Sequence, residues 1–100
     1  MRIAFLNCYS PSTFKAIIDG DDREKMVAQV FESVGGKLES MMLTQGAFDA
    51  LVIGSVPNHN AAAGLAMAMK STGMCSESLL LEELNLEDIL VPARKVLEAK

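Results

Sequence analysis

The sequence predicts an α+β domain in which an antiparallel four-stranded sheet carries two helices on one face. Two observations predict this class. Short β-rich runs alternate with segments of helical apolar spacing, and glycines and prolines stand between them. One hundred residues, with no repeat, low-complexity segment or linker, indicate a single domain over residues 1–100.

The N-terminal part contains one strand and two helical segments. The first strand is predicted from Arg2 to Cys8, and it ends at a turn with Pro11. The segment "TFKAIIDG" then predicts a short helical turn that Gly20 stops. A longer helix follows from about Asp21 to Val34, because its apolar residues recur at three- and four-residue steps and "GG" comes directly after it.

The C-terminal part contains a hairpin, a helix, a strand and a further helix. The second strand is predicted over Lys37 to Leu43 and the third over Phe48 to Val56, and "TQG" between them predicts a tight reversal. The small-residue segment "AAAGLAMAMKSTG" predicts a helix, and Met74 to about Glu83 a fourth strand. "NLEDILVPARKVLEAK" predicts a terminal helix or a helical pair, with Pro92 kinking the helix or starting its second piece.

This order, β-α-β-β-α-β with a C-terminal helix, is that of a ferredoxin-like fold. We expect right-handed crossovers to place the first and third strands side by side and parallel at the centre of the sheet. The second strand has Leu38 and Met42 on one face and Met41 and Leu43 on the other, and the third strand is also apolar on both faces. Two helices cover only one face, so the other face predicts a homodimer.

Composition excludes several kinds of partner. Half of the residues are hydrophobic and the net charge is −4, and no basic cluster is present, which argues against nucleic acid and anionic membrane surfaces. No apolar stretch reaches a membrane-spanning length. Two cysteines without a secretory signal indicate a reducing compartment, and we therefore expect a cytoplasmic protein.

The segment "LTQGAFD", followed by an apolar strand, resembles the hallmark of the GYD domain family, in which a glycine, one variable residue and Tyr-Asp open the third strand. Gly46, Phe48 and Asp49 occupy those places, with Phe48 where the tyrosine usually stands. The resemblance spans nearly the whole chain and is specific over Gly35 to Asp49. It implies a branch of the dimeric α/β-barrel superfamily, in which two ferredoxin-like sheets pack face to face.

That superfamily includes cofactor-free monooxygenases, haem enzymes, isomerases and ligand-sensing regulatory domains, so the resemblance implies no particular activity. Within the motif, we expect Gly46 to supply a positive φ and Asp49 to accept hydrogen bonds from the N–H groups of the turn. With parallel first and third strands, Arg2 would lie beside Asp49 and pair with it. We favour this structural role for Asp49 over that of a catalytic carboxylate.

The predicted topology also suggests a site at the ends of the first and third strands. The polar residues expected there are Asn7, Cys8, Tyr9, Ser10, Asn58, His59, Asn60, Cys75 and Glu77. A cavity between sheet and helices would have apolar walls, with polar groups from Asn7, Tyr9 and His59, as small-molecule pockets require. Its expected apolar residues are Phe5, Met42, Val52 and Met67. We predict no metal and no cofactor, because the single histidine and two cysteines form no close-spaced ligand pair.

Three functional hypotheses follow. The first, which we favour, is a homodimeric domain that binds a small apolar ligand or regulates another process without catalysis. The second is an enzyme of the cofactor-independent monooxygenase or isomerase type, which would need His59, Tyr9 or Asn7 to converge on one enclosed volume. The third is a structural subunit that docks another protein. The sequence does not decide whether the chain catalyses a reaction.

Overall fold

The computed structural model describes residues 1–99. The elements follow in the predicted sequence, and their ends differ from the predicted ones by no more than two residues. They are β1 (Arg2–Tyr9), α1 (Pro11–Ile18), α2 (Arg23–Ser33), β2 (Lys37–Leu43), β3 (Ala50–Ser55), α3 (His59–Ser71), β4 (Cys75–Glu82) and α4 (Leu86–Glu98).

The four strands form one antiparallel sheet in the order β2-β3-β1-β4, which confirms the ferredoxin-like α+β fold. The prediction that β1 and β3 run parallel is wrong. Arg2 lies opposite Ser55 and Asn7 opposite Ala50, so the two strands are antiparallel. The physical reason is the hairpin: the helical crossover returns the chain in the direction of β1 as β2, and the hairpin then reverses it before β3 enters the centre.

The core lies between the sheet and the helices α2 and α3. Its buried members are Ile3, Phe5, Phe31, Val52, Val56, Ala62 and Leu65. Phe31 of α2 meets Phe5 of β1 edge to face, with ring centroids 6.4 Å apart. The Phe31 ring lies directly over Gly54 of β3, where an added Cβ would come within 2.4 Å of its Cε1 atom. Helix and sheet thus approach closely at a residue with no side chain.

A bulge in β2 changes which residues share a face. Leu38 lies opposite Gly54 and Met41 opposite Val52, so both point toward the helices. Met42 lies opposite Leu51 on the other face. The predicted grouping of Leu38 with Met42 is therefore wrong. The register shift between Leu38 and Ser40 inserts one residue, and the alternation changes phase after it.

The sheet face away from the helices is apolar and uncovered in the single chain. Cross-strand pairs on this face join Leu6 to Leu51 and to Leu79, and Ala4 to Ile53 and to Leu81. We call this surface the open face; its residues are Ala4, Leu6, Met42, Leu51, Ile53, Leu79 and Leu81. Met42 and Leu81 are more than half exposed. Such a surface is unusually apolar for one that faces water.

The terminal helix α4 is continuous through Pro92, so it is neither split nor paired. Its first turn is capped by Asn85, whose Oδ1 accepts a hydrogen bond from the N–H of Glu87 at 3.0 Å. None of the residues from Leu86 to Glu98 is buried. The chain measures 57 × 30 × 22 Å, an elongated shape for its size. None of the helices in residues 1–99 combines the length and apolarity needed to cross a membrane.

Candidate functional site

A cavity of about 330 Å³ lies between the helices and the sheet. Its floor is formed by Phe5 and Asn7, two successive inward positions of β1, and by Val52 of β3, which lies opposite Phe5. Its apolar walls come from α2 and α3; they include Met26, Val27, Val30, Leu65 and Met69. The exposed polar residues Gln29 and Ser33 of α2 also line it. The arrangement is an apolar cavity with few polar groups, the usual composition of a small-molecule site.

Asn7 places an amide in the floor of this cavity. It is 2 % exposed, and its Oδ1 accepts a hydrogen bond of 2.7 Å from the Ser78 hydroxyl, which lies opposite it on β4. A side-chain amide has one acceptor oxygen and two N–H donors. Because Ser78 engages the oxygen, the NH2 group is the end that remains to donate.

Arg23, the first residue of α2, places a buried guanidinium at the same cavity. It is 9 % exposed and forms an ion pair of 2.6 Å with Asp21 through Nη2. Its Nη1 contacts the Met74 sulfur at 3.5 Å. The Arg23 Nε and the Asp21 Oδ1 are buried and find no hydrogen-bond partner in residues 1–99. A buried donor without an acceptor is costly.

Tyr9 supports Arg23 from the end of β1. The guanidinium lies 6.0 Å from the centre of the Tyr9 ring, and Phe14 of α1 packs against the ring edge to face at 5.8 Å. Burial raises the pKa of the Tyr9 hydroxyl, and the positive charge of Arg23 opposes that rise. Tyr9 is not among the residues that line the cavity. Asn7 stands two residues before Tyr9 on the same face of β1, so Asn7 and Arg23 lie toward the same end of the site.

His59 lies at the opposite end of the sheet. Its Nδ1 contacts Glu82 Oε1 at 2.7 Å, and Glu82 lies opposite Ile3, near the start of β1. The predicted convergence of Asn7, Tyr9 and His59 is therefore wrong. Because β1 and β3 are antiparallel, the residues after β3 come beside the start of β1, away from its end.

Two predicted wall residues also lie elsewhere. Met42 is on the open face, and Met67 is 76 % exposed on the outer side of α3. Phe5 and Val52 line the cavity, as described above. The β2 bulge explains the position of Met42, because it moves Met41 to the helical face in its place.

The family-like loop, residues 44–49, connects β2 to β3. It is hydrogen-bonded to the end of β1. Asp49 Oδ2 accepts a hydrogen bond of 2.9 Å from the Tyr9 N–H, and the Asp49 N–H donates to the Asn7 carbonyl at 2.8 Å. Arg2 pairs instead with Glu39 at 2.9 Å, so the predicted Arg2–Asp49 pair is wrong for the same topological reason as the position of His59.

Gly46 has a φ of +138°, a conformation that other residues rarely adopt. In the same loop, Phe48 is half-buried and its carbonyl accepts a 2.6 Å hydrogen bond from the Thr44 hydroxyl. The carboxylate of Asp49, which stands just before β3, accepts from a backbone N–H at the end of β1, so the prediction that it accepts from the N–H groups of its own turn is wrong.

The two cysteines are free and lie on opposite faces of the sheet. Cys75 lies opposite Tyr9, whereas Cys8 lies opposite Glu77 and its Sγ contacts the Ala47 carbonyl at 3.3 Å. Desolvation raises the pKa of both thiols; the carboxylates of Asp49 and Glu77 raise that of Cys8 further, and Arg23 partly offsets the rise at Cys75. Both groups are therefore poor nucleophiles at neutral pH.

In residues 1–99, no three His, Cys, Asp or Glu side chains come together in an arrangement that could hold a metal ion. The functional group that the sequence interpretation missed is Arg23. A cation at the first turn of a helix opposes the positive end of the helix dipole, and this unusual placement next to Asp21 and Asp22 is the signal that could have indicated it.

Comparison with known proteins identifies a family and similar solved structures. The model of the GYD domain family matches residues 5–90. Among solved structures, a hypothetical protein, PHS023 from Pyrococcus horikoshii, is similar with a TM-score of 0.53 and 11 % sequence identity; the match covers 86 % of this chain and 94 % of that one. At this identity the likeness shows a shared fold alone. No curated protein matches the chain.

Proposed function

The chain belongs to the GYD domain family, and from this premise we propose that it acts as a homodimeric domain that binds a small, mainly apolar molecule or responds to one. The cavity over the central strands is the observation that carries this proposal. Its volume of about 330 Å³ falls in the range of ligand sites, and its walls are mainly apolar.

The homodimer part of the proposal is supported by two unpartnered surfaces. The open face presents a continuous apolar patch, and α4 extends from the body with no buried residue between Leu86 and Glu98. Monomeric soluble proteins rarely leave such surfaces in water. A second copy packed on the open face would cover the patch on both subunits, because a two-fold interface uses the same patch of each.

An enzyme of the cofactor-independent monooxygenase or isomerase type is less well supported. The cavity lacks His59, which lies beside Glu82 at the other end of the sheet, and both thiols hold their protons at neutral pH. A structural subunit that docks a different protein is the alternative if the open face does not pair with itself. The free thiols of Cys8 and Cys75 support a reducing compartment, and we propose on that ground that the protein is cytoplasmic.

Native mass spectrometry of freshly purified protein tests the proposal. We expect a dimer that carries a reproducible extra mass. Val30 lines the cavity and is 37 % exposed, so Val30→Phe should place a ring in the cavity and abolish the extra mass. Ile18→Phe, on an 83 % exposed residue of α1, is the matched control and should retain it.

A monomer at micromolar concentration would contradict the homodimer. Extra mass that survives Val30→Phe would place the bound molecule outside this cavity. Both results can be read separately, because the oligomeric state and the bound mass are measured in one spectrum.

A further inference from the structure

The two buried polar residues at the cavity, Asn7 and Arg23, offer donors whose charge is already balanced. Arg23 carries the only formal charge among the described residues that line the cavity, and Asp21 neutralises it at 2.6 Å. Asn7 contributes an uncharged NH2 group, since Ser78 engages its oxygen. The cavity therefore offers hydrogen-bond donors without a net positive charge.

This balance discriminates between classes of ligand. A carboxylate near Arg23 would bring a second negative charge to one guanidinium, and it would compete with Asp21 in a region where Arg23 is 9 % exposed. Burying an unbalanced charge is strongly unfavourable. A neutral carbonyl oxygen accepts hydrogen bonds from the same donors and leaves the Arg23–Asp21 pair intact.

The size of the cavity limits the rest of the molecule. A volume of about 330 Å³ holds about eleven water-sized groups, at roughly 30 Å³ each. Most of the residues that line this space are apolar, among them Phe5, Val30 and Leu65. A molecule with one ring or two fused rings and a single polar group matches this volume and lining.

Resting on the proposed function, we infer that the ligand is a neutral, compact, mainly apolar molecule with a ketone- or quinone-type carbonyl, which accepts hydrogen bonds from the Asn7 amide and the Arg23 guanidinium. The apolar walls supply most of the affinity, and the two donors select the carbonyl. The Arg23–Asp21 pair excludes anionic analogues of the same shape.

Three probes with one ring system test the inference: naphthalene, acetylnaphthalene and naphthoate. Their dissociation constants are measured at neutral pH by ligand-observed NMR, and the side-chain amide signal of Asn7 is followed in parallel. We expect acetylnaphthalene to bind about three- to tenfold more tightly than naphthalene, the worth of one or two net hydrogen bonds. Naphthoate should bind more weakly than acetylnaphthalene, and only the ketone should shift the Asn7 amide signal.

The double variant Asn7→Leu with Ser78→Ala replaces a buried hydrogen-bonded pair by apolar groups, an exchange that folded proteins tolerate. It should remove most of the preference for the ketone over naphthalene. His59→Ala, at the opposite end of the sheet, is the control and should change no affinity.

Equal binding of naphthalene and acetylnaphthalene would overturn the inference while leaving the proposed function in place. Tighter binding of naphthoate would overturn it as well, because the cavity would then accept an anion. If none of the three probes binds while native mass spectrometry shows a bound mass that Val30→Phe removes, the inference fails and the proposed function stands.

Discussion

Replacing Gly54 by alanine should destabilise the domain, because the new methyl group would occupy space that Phe31 already fills. The added Cβ would lie 2.4 Å from Phe31 Cε1 and 2.8 Å from the Lys37 carbonyl oxygen. Carbon atoms pack at about 3.5–4.0 Å, so the ring would have to retreat by about 1 Å. Phe31 is 2 % exposed and packs against Phe5, so it cannot move toward solvent without losing that contact.

The magnitude follows from two opposing effects. Overpacking of a close-packed core destabilises the folded state by about 1–3 kcal/mol. Replacing a strand glycine by alanine stabilises it by roughly 0.5–1 kcal/mol, because alanine loses less conformational freedom on folding. The close contact with a backbone oxygen, which cannot rotate away, places the cost at the upper end. We expect a net loss of about 2 kcal/mol, which lowers the melting temperature by roughly 8–16 °C for a domain of this size.

Gly64→Ala is the matched control. An added Cβ at Gly64 meets nothing within 4 Å, and the residue lies inside α3. Alanine in a helix interior is favoured over glycine by about 1 kcal/mol. The same substitution should therefore raise the melting temperature at Gly64 and lower it at Gly54, as measured by circular dichroism during thermal and urea unfolding.

Two results would refute this reasoning. The first is a Gly54→Ala variant that is as stable as the original protein. The second comes from a double-mutant cycle with Phe31→Leu, which removes the ring edge. If the two changes simply add, the clash with Phe31 is not the cause of the loss.

Three further predictions concern the assembly, the family-like loop and the thiols. Leu51→Glu, which puts a charge between Leu6 and Met42 on the open face, should yield a monomer in size-exclusion chromatography with light scattering; a persistent dimer would place the interface elsewhere. Asp49→Ala should lower the free energy of unfolding by about 1–2 kcal/mol because the Tyr9 N–H loses its acceptor. Asp49→Asn keeps an acceptor, and equal melting temperatures for the two variants would contradict this role.

The raised pKa values of the two cysteine thiols predict slow alkylation by iodoacetamide until the pH exceeds the ordinary thiol range. A raised pKa in the folded state means stability that is present below the unfolded-state pKa and is lost as the pH rises through the folded one. Fast alkylation at neutral pH would refute this prediction. A resistance to urea that increases as the pH rises above the ordinary thiol range would refute it as well.

The order and extent of the elements could be predicted from the sequence because local patterns determine them. β2 begins at Lys37 after two glycines and ends at Leu43, as predicted, and the helical spacing of α2 locates it within two residues. The apolar character of both sheet faces was also visible, since it depends only on which residue types the strands contain.

The site could be predicted only where it depends on neighbours along one strand. Phe5 and Asn7 share a face because they stand two residues apart on β1. His59 and Arg2 were misplaced because the relative direction of β1 and β3 is set by tertiary packing, which the local pattern does not record. The apolar pattern likewise does not show that the alternation of faces changes at the β2 bulge. Met42 was therefore expected on the helical face, whereas it lies on the open face.

The placement of Arg23 at the start of α2 marks it as unusual in the sequence, but its burial at the cavity depends on contacts that the sequence does not show. Its burial results from the loop that folds Asp21 back onto it and from contacts with Tyr9 and Met74, which are distant in sequence. Such long-range placement depends on the whole fold, and polar residues at helix starts usually lie in solvent.

Because α4 stands apart from the rest of the chain, substitutions in α4 and substitutions elsewhere have different consequences for folding. An isolated helix of about thirteen residues is marginal in water, and α4, Leu86–Glu98, buries none of its residues within its own chain. If packing comes from a second copy, the helical content of this segment should rise with protein concentration. Substitutions there would leave the fold of the single chain intact and alter only how tightly copies hold together, so this segment could diverge in sequence and change assembly without risk to folding.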